Sequence, residues 1–364
     1  MKKTQFALAA LALVASTAAM ADGATVYGTL EAAVGNTTNS GGTTQGTFFA
    51  GAGGWVAGNN IGFKGSEDLE GGMKATYQLE AGLNLNNGGV DNGGSSNFFS
   101  RIAAIGLSSE MGTLTLGQQL SPYIAAQASG TAGNGHFFVN RIIMGGGTLL
   151  GGLHNAAAGS SVTGMGGFFL PNAIVYSTPS IGGFSATIMQ TMRNDVKQAA
   201  TNGVNAIGGT TNGGLQSDSY TAGMVSGAFG DVNVAVGFQD RQNTDKGYTG
   251  SASYTMGAAT LSGNYTQHTE QGATAVNSYS GSLAYKVTDP LTLSLQYARN
   301  NLASAQTLTN LGAQYSLSKR TSAFATYGRG TNGAQSLYDN RVQYTGNTVT
   351  TTSTTTAVGL IHSF

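Results

Sequence analysis

The chain has 364 residues, 57 of them Gly, and only 9% are charged, with 16 Lys and Arg against 16 Asp and Glu. Soluble domains carry roughly 25% charged residues, so an ordinary solvated globule is excluded, and a mean hydropathy of −0.05 excludes a bundle of membrane helices. The lack of Cys excludes a disulfide framework or a cysteine metal site, while 15 Tyr and 15 Phe, placed with a period, argue against disorder.

At the N-terminus, Lys2 and Lys3 precede an apolar run from Phe6 to Val14, and Ala19-Met20-Ala21 is a small-x-small cleavage site. This is the pattern of a secretory signal peptide. Residues 1–21 are therefore expected to be removed near Ala21, leaving 22–364 as one domain. Loss of Lys2 and Lys3 leaves 14 basic residues against 16 acidic ones, a net charge of −2, so a nucleic-acid partner is not expected. No later segment approaches 18 apolar residues, so any crossing of a membrane must be made by strands.

The first strand is predicted over Ala24–Gly35. Its alternation sets Tyr27 and Glu31 on one face and Val26 and Leu30 on the other. In the segment from Lys74, Thr76, Gln78 and Glu80 share the polar face with Lys74, opposite Ala75, Tyr77 and Leu79. Alternation then stops between Gln118 and Leu170, a long loop inside a regular β protein, and such loops usually have a function.

Strict period two returns from Asp231 to Leu317. Val232, Val234, Val236 and Phe238 oppose Asn233, Ala235, Gly237 and Gln239. Tyr248 to Met256, Thr260 to Thr266, Tyr279 to Val287, Leu291 to Tyr297 and Asn310 to Leu317 repeat the pattern. Each segment is about the 9–11 residues that a tilted strand needs to cross a bilayer. The polar face holds small neutral residues rather than Lys and Glu, and Lys286 is the inward charge of this region. Arg299 shares parity with Leu295 and Tyr297 and is expected to snorkel at a rim.

Connectors alternate in length. Short ones fall at Glu67–Gly72, Glu110–Gly112, Thr178–Gly183, Gly230–Asp231, Gly257–Ala258, Thr288–Pro290 and Ser318–Arg320. Long ones fall at Asn36–Gly54, Asn84–Asn97, Gln118–Leu170, Arg193–Gln216, Arg241–Lys246, His268–Asn277, Asn300–Gln306 and Gly330–Ser353. Seven hairpins, with Ala24–Gly35 and Thr354–Phe364 closing the ring, predict an all-β, 16-stranded antiparallel transmembrane β-barrel. Its long third loop is expected to fold into the lumen.

Several segments carry a family resemblance. Tyr27-Gly28-Thr29-Leu30-Glu31 opens the first strand. Ile61-Gly62-Phe63-Lys64-Gly65-Ser66-Glu67-Asp68-Leu69 leads into Gly72-Met73-Lys74-Ala75 and then Gln78-Leu79-Glu80. Arg101 to Leu107 precedes Gly112-Thr113-Leu114-Thr115-Leu116-Gly117, and the chain ends Val358-Gly359-Leu360-Ile361-His362-Ser363-Phe364. In order and spacing these are similar to Gram-negative general porins of the β-proteobacterial type. The resemblance implies an outer-membrane homotrimer, contact with outer-membrane lipid and lipopolysaccharide, and passive diffusion of small hydrophilic solutes and ions. It implies no cofactor and no catalytic residue, and it matches Arg101 to an inward basic residue of the family's constriction.

The expected pore-lining residues are therefore Tyr27, Glu31, Lys74, Glu80, Arg101, Arg141 and Lys286. For Arg141, in the long loop, lining the pore and facing external water both stay open. The four His, at 136, 154, 268 and 362, have no metal-ligand spacing, and no nucleophile elbow or phosphate-binding loop occurs. A barrel acting as an adhesin or structural anchor, plugged by its third loop, is the alternative reading. Departures from the family pattern are Asn60, Ile361 and Ser363 at commonly basic positions, and a third loop without Asp or Glu. Charge selectivity is accordingly expected to be weak.

Overall fold

A computed structural model of the protein describes residues 24–39, 45–50, 59–90, 98–129, 169–192, 219–242, 245–270, 274–301, 305–331 and 352–364. Residues 1–21, expected to be a leader, and most of the third loop, Arg141 included, lie outside the described residues.

The first strand, β1 (Thr25–Asn39), pairs on one side with two successive segments, β2 (Gln45–Ala50) above and β3 (Asn60–Asp68) below. These two share one barrel position. They are followed by β4 (Lys74–Asn84), the short β5 (Gly89–Val90) that extends β4's upper end, β6 (Ile102–Ser109) and β7 (Gly112–Leu120). After a helix, α1 (Pro122–Ala128), come β8 (Phe169–Ser177), β9 (Phe184–Thr191), β10 (Tyr220–Phe229), β11 (Val232–Arg241) and β12 (Asp245–Met256). The last six are β13 (Ala259–Glu270), β14 (Val276–Lys286), β15 (Leu291–Asn300), β16 (Thr307–Ser316), β17 (Thr321–Thr331) and β18 (Ser353–Ser363). Every neighbouring pair is antiparallel, and β1 pairs with β18 from Thr29↔Ser363 to Asn39↔Ser353, which closes the sheet. Among the described residues, eighteen segments thus make a closed barrel of sixteen strands, as the hairpin pattern predicts.

Local chemistry explains the hairpins. The turns Gly230-Asp231 and Gly257-Ala258 need a positive φ at their first central residue, and the two glycines supply φ 58° and 56°. A side chain there would be strained, while glycine is not.

Alternation sorts the two faces as expected. Val225, Val236, Leu261, Leu283, Leu295 and Val358 point out and are exposed. Opposite parity holds Ser251, Asn264, Thr266, Ser278, Ser282, Gln296 and Asn310, all buried and turned inward. These inward groups satisfy one another across strands: Ser262 and Ser282 hydroxyls lie 2.8 Å apart, and Asn310 Nδ2 donates to Gln296 Oε1 at 3.1 Å. A neutral polar lining keeps its hydrogen bonds without placing charge in a narrow lumen.

Outward tyrosines concentrate on one side. Tyr248, Tyr254, Tyr265, Tyr279, Tyr285, Tyr297, Tyr315 and Tyr327 all lie on β12–β17 and are exposed. The arc from β6 to β10 presents Ile105, Leu107, Leu114, Leu116, Ile188 and Val225, with Tyr176 as its exposed tyrosine.

One expected loop is shorter than the alternation suggests. The segment Asn36–Gly54 reads as a long connector, yet β1 runs to Asn39 and pairs with β2 from Thr37↔Gln45 to Ala33↔Ala50. The same holds at Arg241–Lys246, where β11 and β12 pair to Arg241↔Asp245. These extensions are polar on both faces, so no apolar period marks them. Aromatic pairs also form: Phe184 and Phe229 meet at 4.6 Å beside the short turns, and Phe98 meets Phe99 edge-on at 5.0 Å.

Candidate functional site

The strand register gathers one polar cluster on the inner face of β1, β3, β4 and β6. Tyr27 pairs with Gly62, Gly62 with Glu80, and Lys64 with Gln78, so all five positions share the inward parity. The Tyr27 ring lies over Gly62, where any side chain would overlap it. That gap lets the phenol cross β3 and reach β4. Its hydroxyl donates to Glu80 Oε2 at 2.8 Å and accepts from Gln78 Nε2 at 2.6 Å. Arg101 Nε donates to Glu80 Oε1, and the guanidinium stands 4.7 Å from the Phe169 ring centroid. Lys64 Nζ sits 5.2 Å above the Tyr27 ring, a favourable place for an ammonium.

Of the residues expected to line the pore, Tyr27, Glu80 and Arg101 are thus brought together. Glu31 shares their face but is 1% exposed. It lies where β1 passes the break between β2 and β3. Its backbone N–H donates to Asn59 Oδ1 and its carbonyl accepts from Asn59 Nδ2 at 3.1 Å. One side-chain amide therefore supplies both bonds that a paired residue of a neighbouring strand would provide.

Lys74 and Lys286 point inward by parity but lie at the short-turn end of their strands. Each is paired with an aspartate, Lys74 with Asp68 at 2.8 Å and Lys286 with Asp289 at 3.1 Å. Both pairs are solvated and neutral overall, so their field in the middle of the lumen is small.

The third loop begins differently from the rest. At Gly117 the chain takes φ 123° and the register with β8 shifts between Gly117 and Gln119, a bulge that re-aims the strand. Ser121, in extended conformation, precedes Pro122 at the first helical position, and the alanine-rich turn α1 follows. The buried residues of α1 are Pro122, Tyr123, Ile124, Ala126 and Gln127.

Its dock is the inner wall of β10–β13. Ser251 Oγ donates to the Ala126 carbonyl at 2.8 Å, and Asn264 Nδ2 donates to the Gln127 carbonyl at 3.0 Å. Gln127 Nε2 reaches Thr266 Oγ1 at 3.3 Å, and the Ser129 and Ser251 hydroxyls lie 2.8 Å apart. Two glycines make the room. A methyl group at Gly237 would come 2.8 Å from Ala126 Cβ, and one at Gly247 would come 2.8 Å from the Tyr123 hydroxyl. The helix carbonyls, orphaned at its C-terminal end, are thus met by wall side chains.

A cavity of about 740 Å³ is lined by Lys64 and Gln78 of the cluster, by Pro122 and Ala125 of the helix, and by Ser66, Thr76 and Thr115 among others. Its polar groups are one lysine, a phenol, hydroxyls and amides with no carboxylate, beside the apolar Ile102, Leu120, Val175 and Met224. Sequence reasoning missed Lys64 as a pore residue and α1 as a docked element. Parity with Gln78 marks the first, and interior glycines on adjacent strands mark the second.

Comparison with known proteins agrees with this geometry. A family model described as Gram-negative porin matches residues 7–335. Outer membrane porin protein 32 of Delftia acidovorans is 31% identical over 89% of this chain and 88% of its own length. An outer membrane porin protein of Bordetella pertussis is 28% identical over 73% of this chain, and the match spans 66% of that protein. Among solved structures, an anion-selective porin from Comamonas acidovorans superposes with a TM-score of 0.71 at 24% identity, over 94% of this chain and all of that one.

Proposed function

The chain belongs to the Gram-negative porin family, and from that premise we propose how its residues shape the passage. As a porin it is an outer-membrane channel for passive diffusion of small hydrophilic solutes and ions, and its family is one of channels rather than enzymes. The helix α1, held against β10–β13, narrows the lumen from one side. The cluster of Tyr27, Lys64, Gln78, Glu80 and Arg101 faces it from the other. Solutes pass through the cavity between them.

The observation that carries this reading is the contrast of faces. The outer wall is apolar and aromatic, the inner wall is neutral and hydroxylic, and an open cavity remains beside the third-loop helix. A plugged anchor would have no use for a hydrated polar lining. Selectivity is weak because most described charges on the inner wall are paired.

The assembly is a homotrimer in contact with outer-membrane lipid and lipopolysaccharide. The concentration of exposed tyrosines supports this: β12–β17 carry eight of them, as a lipid-facing wall would, while the mostly aliphatic arc from β6 to β10 is suited to burial against another copy. Arg141 is a candidate for the pore rim.

Liposome swelling tests the function. Vesicles containing the purified oligomer are expected to swell in small neutral sugars and amino acids at rates that fall steeply with solute size. An intact, heat-modifiable oligomer that gives no swelling and no conductance would favour the plugged anchor instead.

A further inference from the structure

We propose that Glu80 sets the ion preference of this channel, by neutralising Arg101 in place and leaving Lys64 as the acting pore cation. The inference rests on the porin reading above. Two basic side chains, Lys64 and Arg101, share the inner wall of the cluster with one carboxylate. Their positions differ in a way that decides which of them an ion in the lumen senses.

Both Glu80 oxygens are engaged, Oε1 by Arg101 Nε and Oε2 by the Tyr27 hydroxyl at 2.8 Å. The Glu80 side chain is 8% exposed and that of Arg101 28% exposed. The guanidinium is held from its other side by the Phe169 ring at 4.7 Å. Tyr27 is itself fixed by Gln78 at 2.6 Å and by the space over Gly62. A contact ion pair braced on both sides presents a dipole to the lumen, and a dipole's field dies away faster than that of a charge.

Lys64 is exposed, lines the cavity, and among the described residues forms no salt bridge. Its ammonium rests on the face of Tyr27, which favours the charged form without cancelling its field in the pore. Charges on a narrow aqueous path bounded by low-dielectric walls act strongly on permeating ions. Glu80 is therefore a specificity-determining residue that acts through Arg101, and the preferred ion is a small anion, by a modest margin.

Reversal potentials of the full-length oligomer in planar bilayers, under a KCl gradient, test this. Glu80→Gln exposes the Arg101 charge. One unit charge about 6 Å from an ion in water changes its local occupancy roughly threefold, so the chloride-over-potassium permeability ratio should rise by about that factor. Lys64→Gln should lower the ratio by a similar factor. Arg101→Gln should also lower it, because it leaves the carboxylate unpaired. The double variant Glu80→Gln/Arg101→Gln should return to the wild-type ratio, an outcome that a merely structural role would not produce. A wild-type ratio in Glu80→Gln overturns the proposal. Where that variant does not assemble, a wild-type ratio in Arg101→Gln overturns it equally. A wild-type oligomer that conducts nothing counts against the porin reading itself and not against the charge assignment.

Discussion

Gly117→Val is expected to prevent assembly of the barrel, or to leave an oligomer that falls apart at much lower temperature than wild type. Gly117 holds φ 123°, and a Cβ there would press into the carbonyl oxygen of Ala103 on β6. A β-branched side chain cannot adopt that backbone, and its neighbour is main chain that cannot swing away. Strain of this kind costs of order 1–3 kcal/mol before the steric overlap is counted. The consequence is not local. This bulge turns β7 so that Ser121 and Pro122 start the helix inside the wall, and the register of β8 shifts at the same place. Loss of the bulge would force β7 and β8 out of register, and a one-residue slip exchanges lipid-facing and lumen-facing side chains. The temperature at which the oligomer dissociates on a denaturing gel measures the effect. Unchanged heat modification would contradict the assigned bulge.

Gly237→Leu should leave the barrel assembled and disturb the current through it. The position faces inward beneath Ala126, where even a methyl group would come 2.8 Å from the helix. A leucine there separates α1 from β11 and breaks the four contacts made by Ser251, Asn264, Thr266 and Ser129. At about 0.5–1.5 kcal/mol net for each hydrogen bond, together they are worth several kcal/mol, enough to make docking the dominant state in wild type and undocking the dominant state in the variant. Single-channel records should then replace one discrete level with several fluctuating ones. A single stable level of wild-type size would mean that the helix does not shape the passage.

The sequence carried the barrel clearly where each strand has one face in lipid and one in water. From Asp231 to Leu317 that contrast forces period two, and the described strands keep it, with Val236, Leu261, Leu283 and Leu295 exposed and Ser251, Asn264, Ser282 and Gln296 buried. The extensions at Asn36–Asn39 and Arg241–Asp245 were not legible, because a strand wet on both faces has no reason to alternate. Register was also invisible. Glu80 and Arg101 could each be placed on the inner wall or matched to a family position, but their pairing depends on how β4 and β6 align, which no single strand reveals. Asn59 is the hardest case. Its amide bonds both backbone groups of Glu31, between the stretches of β1 that pair with β3 and with β2, and nothing in its local sequence announces that duty. The glycines at 62, 237 and 247 did carry a signal. In a strand interior a glycine often means that something lies close above it, here Tyr27, Ala126 and Tyr123.

The central claim is an open lumen narrowed by a helix fixed to the β10–β13 wall, and a cross-link tests it most directly. The chain has no Cys, so Ala126→Cys/Gly237→Cys introduces a single pair, at positions whose Cβ atoms would be in contact. A disulfide needs Cβ atoms about 3.5–4.5 Å apart, which a small outward shift of the helix provides. The pair is expected to oxidise readily. The account predicts one discrete conductance of wild-type size from the oxidised oligomer, changed little by reduction. Failure of the pair to cross-link, or a cross-linked oligomer that conducts only after reduction, would contradict it.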